Sequence, residues 1–338
     1  MAPSRSRSRP APMATTTDLP RTAGYKPALA AFSAGAAAWV FILVALGAYT
    51  TSIGAGMAFP DWPLSNGSLN PRGWLTDNAM FSEHSHRLSA GLMTILTGIL
   101  AVWIWRTESR GWLRRLSYFA AGLVVAQAVV GGLRVRLEPV QVAAVDTSLG
   151  RLFAMLHACL AQAFACTLVA IAVSCSRGWI ERPNGVGAGA RRAGLACCAF
   201  IFVQLGIAAV MRHSGAGLAI PTFPWSTPAG GVLPAAWNFR VGINFAHRVM
   251  ACAIAVAAAV YAAAIWRDRA APLAMRTGAS FLVSLVALQI LLGAAVIRTM
   301  RDPLITTGHV VVGALTLVTA FWLTWLAHRD AVERMGAA

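Results

Sequence analysis

Eight apolar stretches, each close to the length of a membrane crossing, run through the chain at about 30–52, 84–105, 116–134, 152–175, 193–211, 243–266, 277–297 and 304–327. A helix needs about 20 apolar residues to cross the hydrocarbon core. Inside lipid every backbone polar group must bond within its own segment, so such runs can only be helices. Composition agrees: of 338 residues 57% are apolar and 12% charged, against about 25% charged in soluble domains. An ordinary soluble enzyme and a disordered chain are both excluded. The expected fold is an all-α polytopic membrane protein.

The net charge is +16. The basic residues fall mainly in the gaps between apolar runs, where they act as topology signals, and no aromatic-interleaved basic patch for RNA or DNA is present. An even number of spans puts both termini on one side. That side carries eighteen of the 28 basic residues and the other side eight, Arg134, Arg212 and Arg301 among them. Both termini are therefore expected in the cytoplasm of a cell membrane protein. The two long outward loops, 53–82 and 212–242, are rich in Pro, Trp and Gly and read as compact caps. Residues 1–29 are Arg-, Ser- and Pro-rich and read as a disordered tail, with an organelle transit peptide as the other reading of such a start. Trp103, Trp105 and Trp112 read as an interfacial belt. The six cysteines lie in or beside apolar runs without CxxC spacing and read as packing residues.

The chain also repeats itself. Gly54-Ala-Gly-Met-Ala-Phe-Pro60-Asp61-Trp62-Pro63 matches Gly215-Ala-Gly-Leu-Ala-Ile-Pro221-Thr222-Phe223-Pro224 at an offset of 161, which also carries His86-Arg87 onto His247-Arg248. Offsets of 162 and 152 carry Gln127 and Gly131 onto Gln289 and Gly293, and His157 onto His309. The expected architecture is two four-helix bundles related by a parallel repeat. They divide the chain into a tail (1–29), an N-terminal bundle (30–176), a cytoplasmic linker (177–192), a C-terminal bundle (193–327) and a second tail (328–338).

The repeated histidines, His86, His157, His247 and His309, lie at a similar shallow depth near the outward ends of spans 2, 4, 6 and 8. Ionisable residues in a span mark function. Neutral imidazole is a good iron ligand, and facing helices can clamp a haem iron from both sides. The expected pairs are His86 with His157 and His247 with His309. Arg87 and Arg248, each following a repeated histidine, are candidate contacts for haem propionates. His84 faces away from His86 and reads as interfacial; His213 and His328 read as surface residues.

The halves differ at one position. Glu83 sits three residues before His86, on the same helix face, and its repeat equivalent is Asn244. A carboxylate beside iron can accept protons, and an amide cannot. The first half is therefore expected to do chemistry and the second to hold a permanent electron-carrying haem. Asp61, with Thr222 opposite, reads as a turn former.

Glu83-His-Ser-His86-Arg87 resembles the E-x-x-H-R element of the haem A synthases. The Pro60-Asp-Trp-Pro63 loop, the Gln127…Gly131 and Gln289…Gly293 spans and the Arg212-His-Ser-Gly-Ala-Gly loop resemble the same family, over about 30–327. The resemblance implies oxidation of the C8 methyl of haem O to a formyl group by successive hydroxylations, giving haem A for terminal oxidases. It implies haem b on His247 and His309, substrate haem O between His86 and His157, and Glu83 as the catalytic acid group. Haem O synthase and an electron donor are the implied partners, beside the bilayer; homo-oligomerisation is left open. Many members carry a cysteine pair in an outward loop, and neither loop here has one: Ala58 and Phe59 precede Pro60, and Ile220 precedes Pro221. The competing reading is a diheme b-type electron-transfer protein, which would need no carboxylate in one half alone.

Overall fold

A computed structural model describes residues 24–143, 147–181 and 186–337. Eight long helices carry the chain: α1 (Pro27–Ser52), α2 (Asn78–Thr107), α3 (Gly111–Arg136), α4 (Leu149–Cys175), α6 (Ala188–His213), α7 (Phe239–Arg267), α8 (Leu273–Arg298) and α9 (Pro303–Ala327). Each is long and apolar enough to cross a membrane. The fold is all-α and polytopic. A two-stranded hairpin, β1 (Gln141–Val142) with β2 (Thr147–Ser148), joins α3 to α4. Two short helices, α5 (Arg177–Glu181) and α10 (Arg329–Ala337), follow α4 and α9. Residues 1–23 of the expected N-terminal tail lie outside the described residues, as do 182–185 of the linker. The stretch 328–338, expected as a tail, is largely the helix α10.

The spans begin three to six residues before most of the apolar runs do. Helix starts are set by capping, which hydropathy does not register. Asp77 accepts from Met80 N, Ser148 from Arg151 N, Asn238 from Val241 N, and Asp302 from Leu304 N and Ile305 N. Each cap satisfies amide donors that the first turn leaves without a helical partner. The first turns between cap and apolar run are helical too, and on α2 they include Glu83.

Each of α1–α4 packs on the next, with α1 closing on α4; α6–α9 repeat the arrangement. The halves meet where α1 and α4 touch α9 and where α4 touches α6. Without a hydrophobic force between helices in lipid, association rests on close packing over small residues. Gly194 and Gly278 supply such approaches: an added Cβ would lie 2.8 Å from the Tyr261 ring and 2.4 Å from the Trp322 ring.

At the end opposite the long loops, the second half reaches back to the first. Glu333 of α10 accepts from Trp112 Nε1 (3.2 Å) and Trp179 Nε1 (2.6 Å) and pairs with Arg110 (3.3 Å). Arg110 also pairs at 2.8 Å with Glu108, both side chains being buried. Trp179 stacks on Trp325, which stacks on Phe321. Trp112 therefore belongs to an inter-half cluster, whereas Trp105 is half exposed on the outside of α2, as a belt residue would be.

Candidate functional site: two histidine clefts under anchored loops

Each half ends in a long loop that folds back over its own bundle. Gly54 (φ 74°) and Gly215 (φ 67°) turn the chain out of α1 and α6 in the left-handed region that glycine adopts freely. Arg87 Nη1 then donates to the carbonyls of Asp61 (2.8 Å) and Leu64 (2.7 Å), and Nη2 to Phe59 O (3.2 Å) and the Glu83 carboxylate (2.5 Å). Arg248 repeats this, with Nη2 donating to Ile220 O (2.8 Å), Nη1 to Trp225 O (3.3 Å) and Nε to the Asn244 amide oxygen (3.1 Å). Glu83 is 4% exposed, and its second oxygen accepts from Phe59 N at 3.1 Å. Asn244, equally buried, instead donates to Ala216 O (2.9 Å) and Gly217 O (3.2 Å). The two arginines expected at propionates thus have loop carbonyls as their partners.

The first loop is compact. Asp61 accepts from Asn66 N and Gly67 N, both at 2.7 Å, at the tip of a turn closed between Ser65 and Ser68. Partial burial pushes its carboxyl upward, but these bonds outweigh it and hold the group below its ordinary value. Asp61 is a turn former. His84, expected at the interface, is buried under this loop, with Nδ1 3.1 Å from Ser65 Oγ and its ring edge-on to Trp74.

His86, His157 and His247 each stand eight residues past the first residue of their helix, and His309 six past. That places them about 12 and 9 Å along the axis from those helix starts. His247 and His309 face each other with ring centres 6.4 Å apart at 59°. Two imidazoles bound to one metal through bonds of about 2 Å have ring centres roughly 6 Å apart. His86 and His157 interact electrostatically but make no such ring contact.

The Nδ1 atoms of all four rings are buried without a hydrogen-bond partner. The rings lie close to helix backbone at glycines: an added Cβ at Gly47, Gly131 or Gly293 would stand 2.8, 3.1 or 3.3 Å from Cε1 of His86, His157 or His309. Gln204 and Gln289 brace the second pair, donating at 2.9 Å to the carbonyls of His247 and His309. In the first half the position matching Gln204 is Leu43, and Gln127, the counterpart of Gln289, makes no such bond among the described residues.

Haem fits this donor set. No group of three or more His, Cys, Asp and Glu capable of holding a bare ion occurs among the described residues. A lone histidine pair is too few ligands for a four-coordinate zinc site. It is the full protein complement for an iron whose other four ligands come from a porphyrin.

Four further residues, none of them expected at the site from the sequence, gather at this end. The Arg134 guanidinium lies against Gly56 so closely that any Cβ there would collide with it. Arg301 lies against Gly217, the repeat equivalent of Gly56, with its Cδ 3.6 Å from the position a Cβ would take. Arg212 leaves α6 to donate to Ala48 O (2.8 Å) and Ser52 Oγ (2.9 Å) on α1. His213, expected at the surface, is instead within electrostatic reach of Arg134, Arg212 and His157. Their signal in the sequence was three arginines on the arginine-poor side of the membrane. His328 lies at the far end, with Nδ1 2.8 Å from Thr324 O. All six cysteines are free.

Fold and site together define a multi-pass membrane protein with an intramembrane histidine pair in each half of an internal repeat. The COX15-CtaA family, cytochrome oxidase assembly protein, matches residues 30–321, and the chain belongs to this family. It is similar to the heme A synthase of Geobacillus kaustophilus, 28% identical over 291 residues covering 82% of this chain and 84% of that one. With the heme A synthase of Rhizorhabdus wittichii it shares 27% over 335 residues, covering 84% and 89%. A shorter match, 39% over 102 residues, joins it to the heme A synthase of Symbiobacterium thermophilum and spans 29% and 31% of the two chains.

Proposed function

We propose that the chain is a heme A synthase, an oxidoreductase that converts the C8 methyl of haem O into a formyl group by successive hydroxylations and so supplies haem A to terminal oxidases. The observation that carries this reading is the unequal repeat. Both halves hold a histidine pair, and only the first has a carboxylate, Glu83, where the second has Asn244.

In this reading residues 30–176 form the catalytic bundle and 193–327 the cofactor bundle. His247 and His309 hold haem b, which supplies one-electron redox chemistry when bound. His86 and His157 flank the substrate haem O. Glu83 is the acceptor for protons released as the methyl group is oxidised, held in place by its pair with Arg87 at 2.5 Å. Asn244 cannot take that role, which suits a site that only carries electrons. The glutamine braces follow the same division: a resident cofactor suits a doubly braced pair, and a substrate that must leave suits an unbraced one. Arg87 and Arg248 hold the loops over the two clefts, and a propionate reaching them shares their N–H groups with loop carbonyls.

The protein is expected in the cell membrane with both termini cytoplasmic and the haem clefts near the outer face, receiving haem O from its synthase and electrons from a separate donor. The test is expression in a host that makes haem O but no haem A, followed by extraction and mass analysis of membrane haems. Haem A or its hydroxylated precursor is the expected product. Recovery of haems b and O alone, with an electron donor supplied, would overturn the enzymatic reading and leave an electron-transfer protein.

A further inference from the structure

Among the described residues the Arg134 side chain makes no hydrogen bond or ion pair, although its guanidinium packs against Gly56 and lies within electrostatic reach of His86 and His157. Arg301 has the matching place in the other half, against Gly217, and its side chain likewise has no such partner. Arg212 stands between them, within electrostatic reach of both. Among the described residues its Nη2 alone is bonded, to Ala48 O and Ser52 Oγ of the opposite half. The nearby acids are already paired: Glu83 with Arg87, and Glu138 with Arg151. Three guanidinium groups at the edge of a membrane span repel one another unless an anion joins them.

We propose that Arg134, Arg212 and Arg301 form a cationic strip across the histidine end of both halves that receives the carboxylate side groups of the two haems, Arg134 serving the first cleft, Arg301 the second, and Arg212 bridging them. The proposal rests on the haem reading of the histidine pairs. The chemistry is that of charge-assisted pairing: an arginine fork matches a carboxylate in two parallel bonds, with Arg134 and Arg212 half-buried and Arg301 exposed at the rim. The repeat supports it, because the two glycines that make room for Arg134 and Arg301 are themselves repeat equivalents. Helix-end charge alone explains less. Arg212 does bond a carbonyl in the last turns of α1, but among the described residues Arg134 and Arg301 bond none.

The test uses purified full-length protein from a haem-deficient host, titrated with haem b and with its dimethyl ester and followed by the low-spin Soret band. His247→Ala isolates the first cleft and His86→Ala the second. The wild-type clefts are expected to prefer the free acid by about tenfold or more, the value of one charge-assisted bond pair. Arg134→Gln should bring that preference toward one in the first cleft only, Arg301→Gln in the second only, and Arg212→Gln should reduce it in both. Arg134→Lys, which keeps the charge but not the fork, should recover part of it and guards against misfolding. Free acid and ester bound equally in wild type, or a preference unchanged in the three variants, would overturn the strip and leave the haem clefts standing. No Soret shift with either compound would sink the haem reading itself, and the strip with it.

Discussion

Glu83 and Asn244 occupy the same position in the two halves and meet their loops with opposite hydrogen-bond polarity. The carboxylate accepts from Phe59 N, and the amide donates to Ala216 O and Gly217 O. Each also engages the arginine four residues on. One scaffold thus holds a loop with an anion in one half and with a neutral group in the other. Glu83→Gln keeps the size of the side chain and removes the charge. Conversion of haem O should fall about 100-fold or more, within the usual range for a lost proton acceptor. Haem b content should stay at the wild-type level. Paired measurements of product haem and bound haem b check this, and normal turnover in the variant would remove Glu83 from the chemistry.

The reverse substitution probes the other half. Asn244→Asp places a carboxylate against two carbonyl oxygens that it can only repel, while its bond to Arg248 survives. Two buried acceptors lose their donor, at about 1–3 kcal/mol each. The variant should melt at a lower temperature and lose haem b on washing more readily than wild type, without gaining a second site of conversion. A thermal melt followed at the Soret band reads both effects.

Gly47 offers a test of the first cleft that leaves its ligands in place. An alanine Cβ there would stand 2.8 Å from His86 Cε1, closer than real contacts allow, so the ring or α1 must move. Overpacking of this kind costs about 1–3 kcal/mol. Gly47→Ala should lower conversion with the second-half haem b spectrum unchanged. Gly293→Ala, whose Cβ would stand at 3.3 Å from His309, should give a milder change confined to that spectrum.

The eight helices were legible because an apolar run of that length has only one fold in lipid. Most of their starts were not, because Asp77, Ser148 and Asn238 cap first turns that lie ahead of the apolar runs. The histidine pattern was legible through its repeat, since a single offset ties residues that no local rule connects. Arg134, Arg212 and Arg301 were read by side of the membrane, which yields topology and says nothing of contacts. Gly56 and Gly217 carried the missing signal, but a close approach to an arginine tens of residues away appears only once the helices are packed. Trp112 was misplaced for the same reason: its partner Glu333 lies 221 residues further on.

The Glu333 cluster gives a stability prediction separate from the chemistry. Glu333→Ala removes the acceptor of Trp112 Nε1 and Trp179 Nε1 and one partner of Arg110, leaving Arg110 with Glu108, two residues away, and the Ser174 carbonyl. Each donor left without an acceptor costs about 1–3 kcal/mol where water cannot reach it. Thermal stability should fall while the product per folded molecule is unchanged, since the cluster lies at the far end from the histidines. Acid should act through the same cluster. Burial would raise the Glu108 carboxyl, but the bonds and charge of Arg110 outweigh it and hold the group below its ordinary value of 4.5. The folded state therefore binds this proton less readily than the unfolded chain does. Its contribution is complete above that value and is lost as the pH falls through and below it. Melting temperature against pH should therefore drop on the acid side for wild type, and Glu108→Gln should start lower and flatten that part of the curve. An equal acid drop in Glu108→Gln would move the effect to another carboxylate.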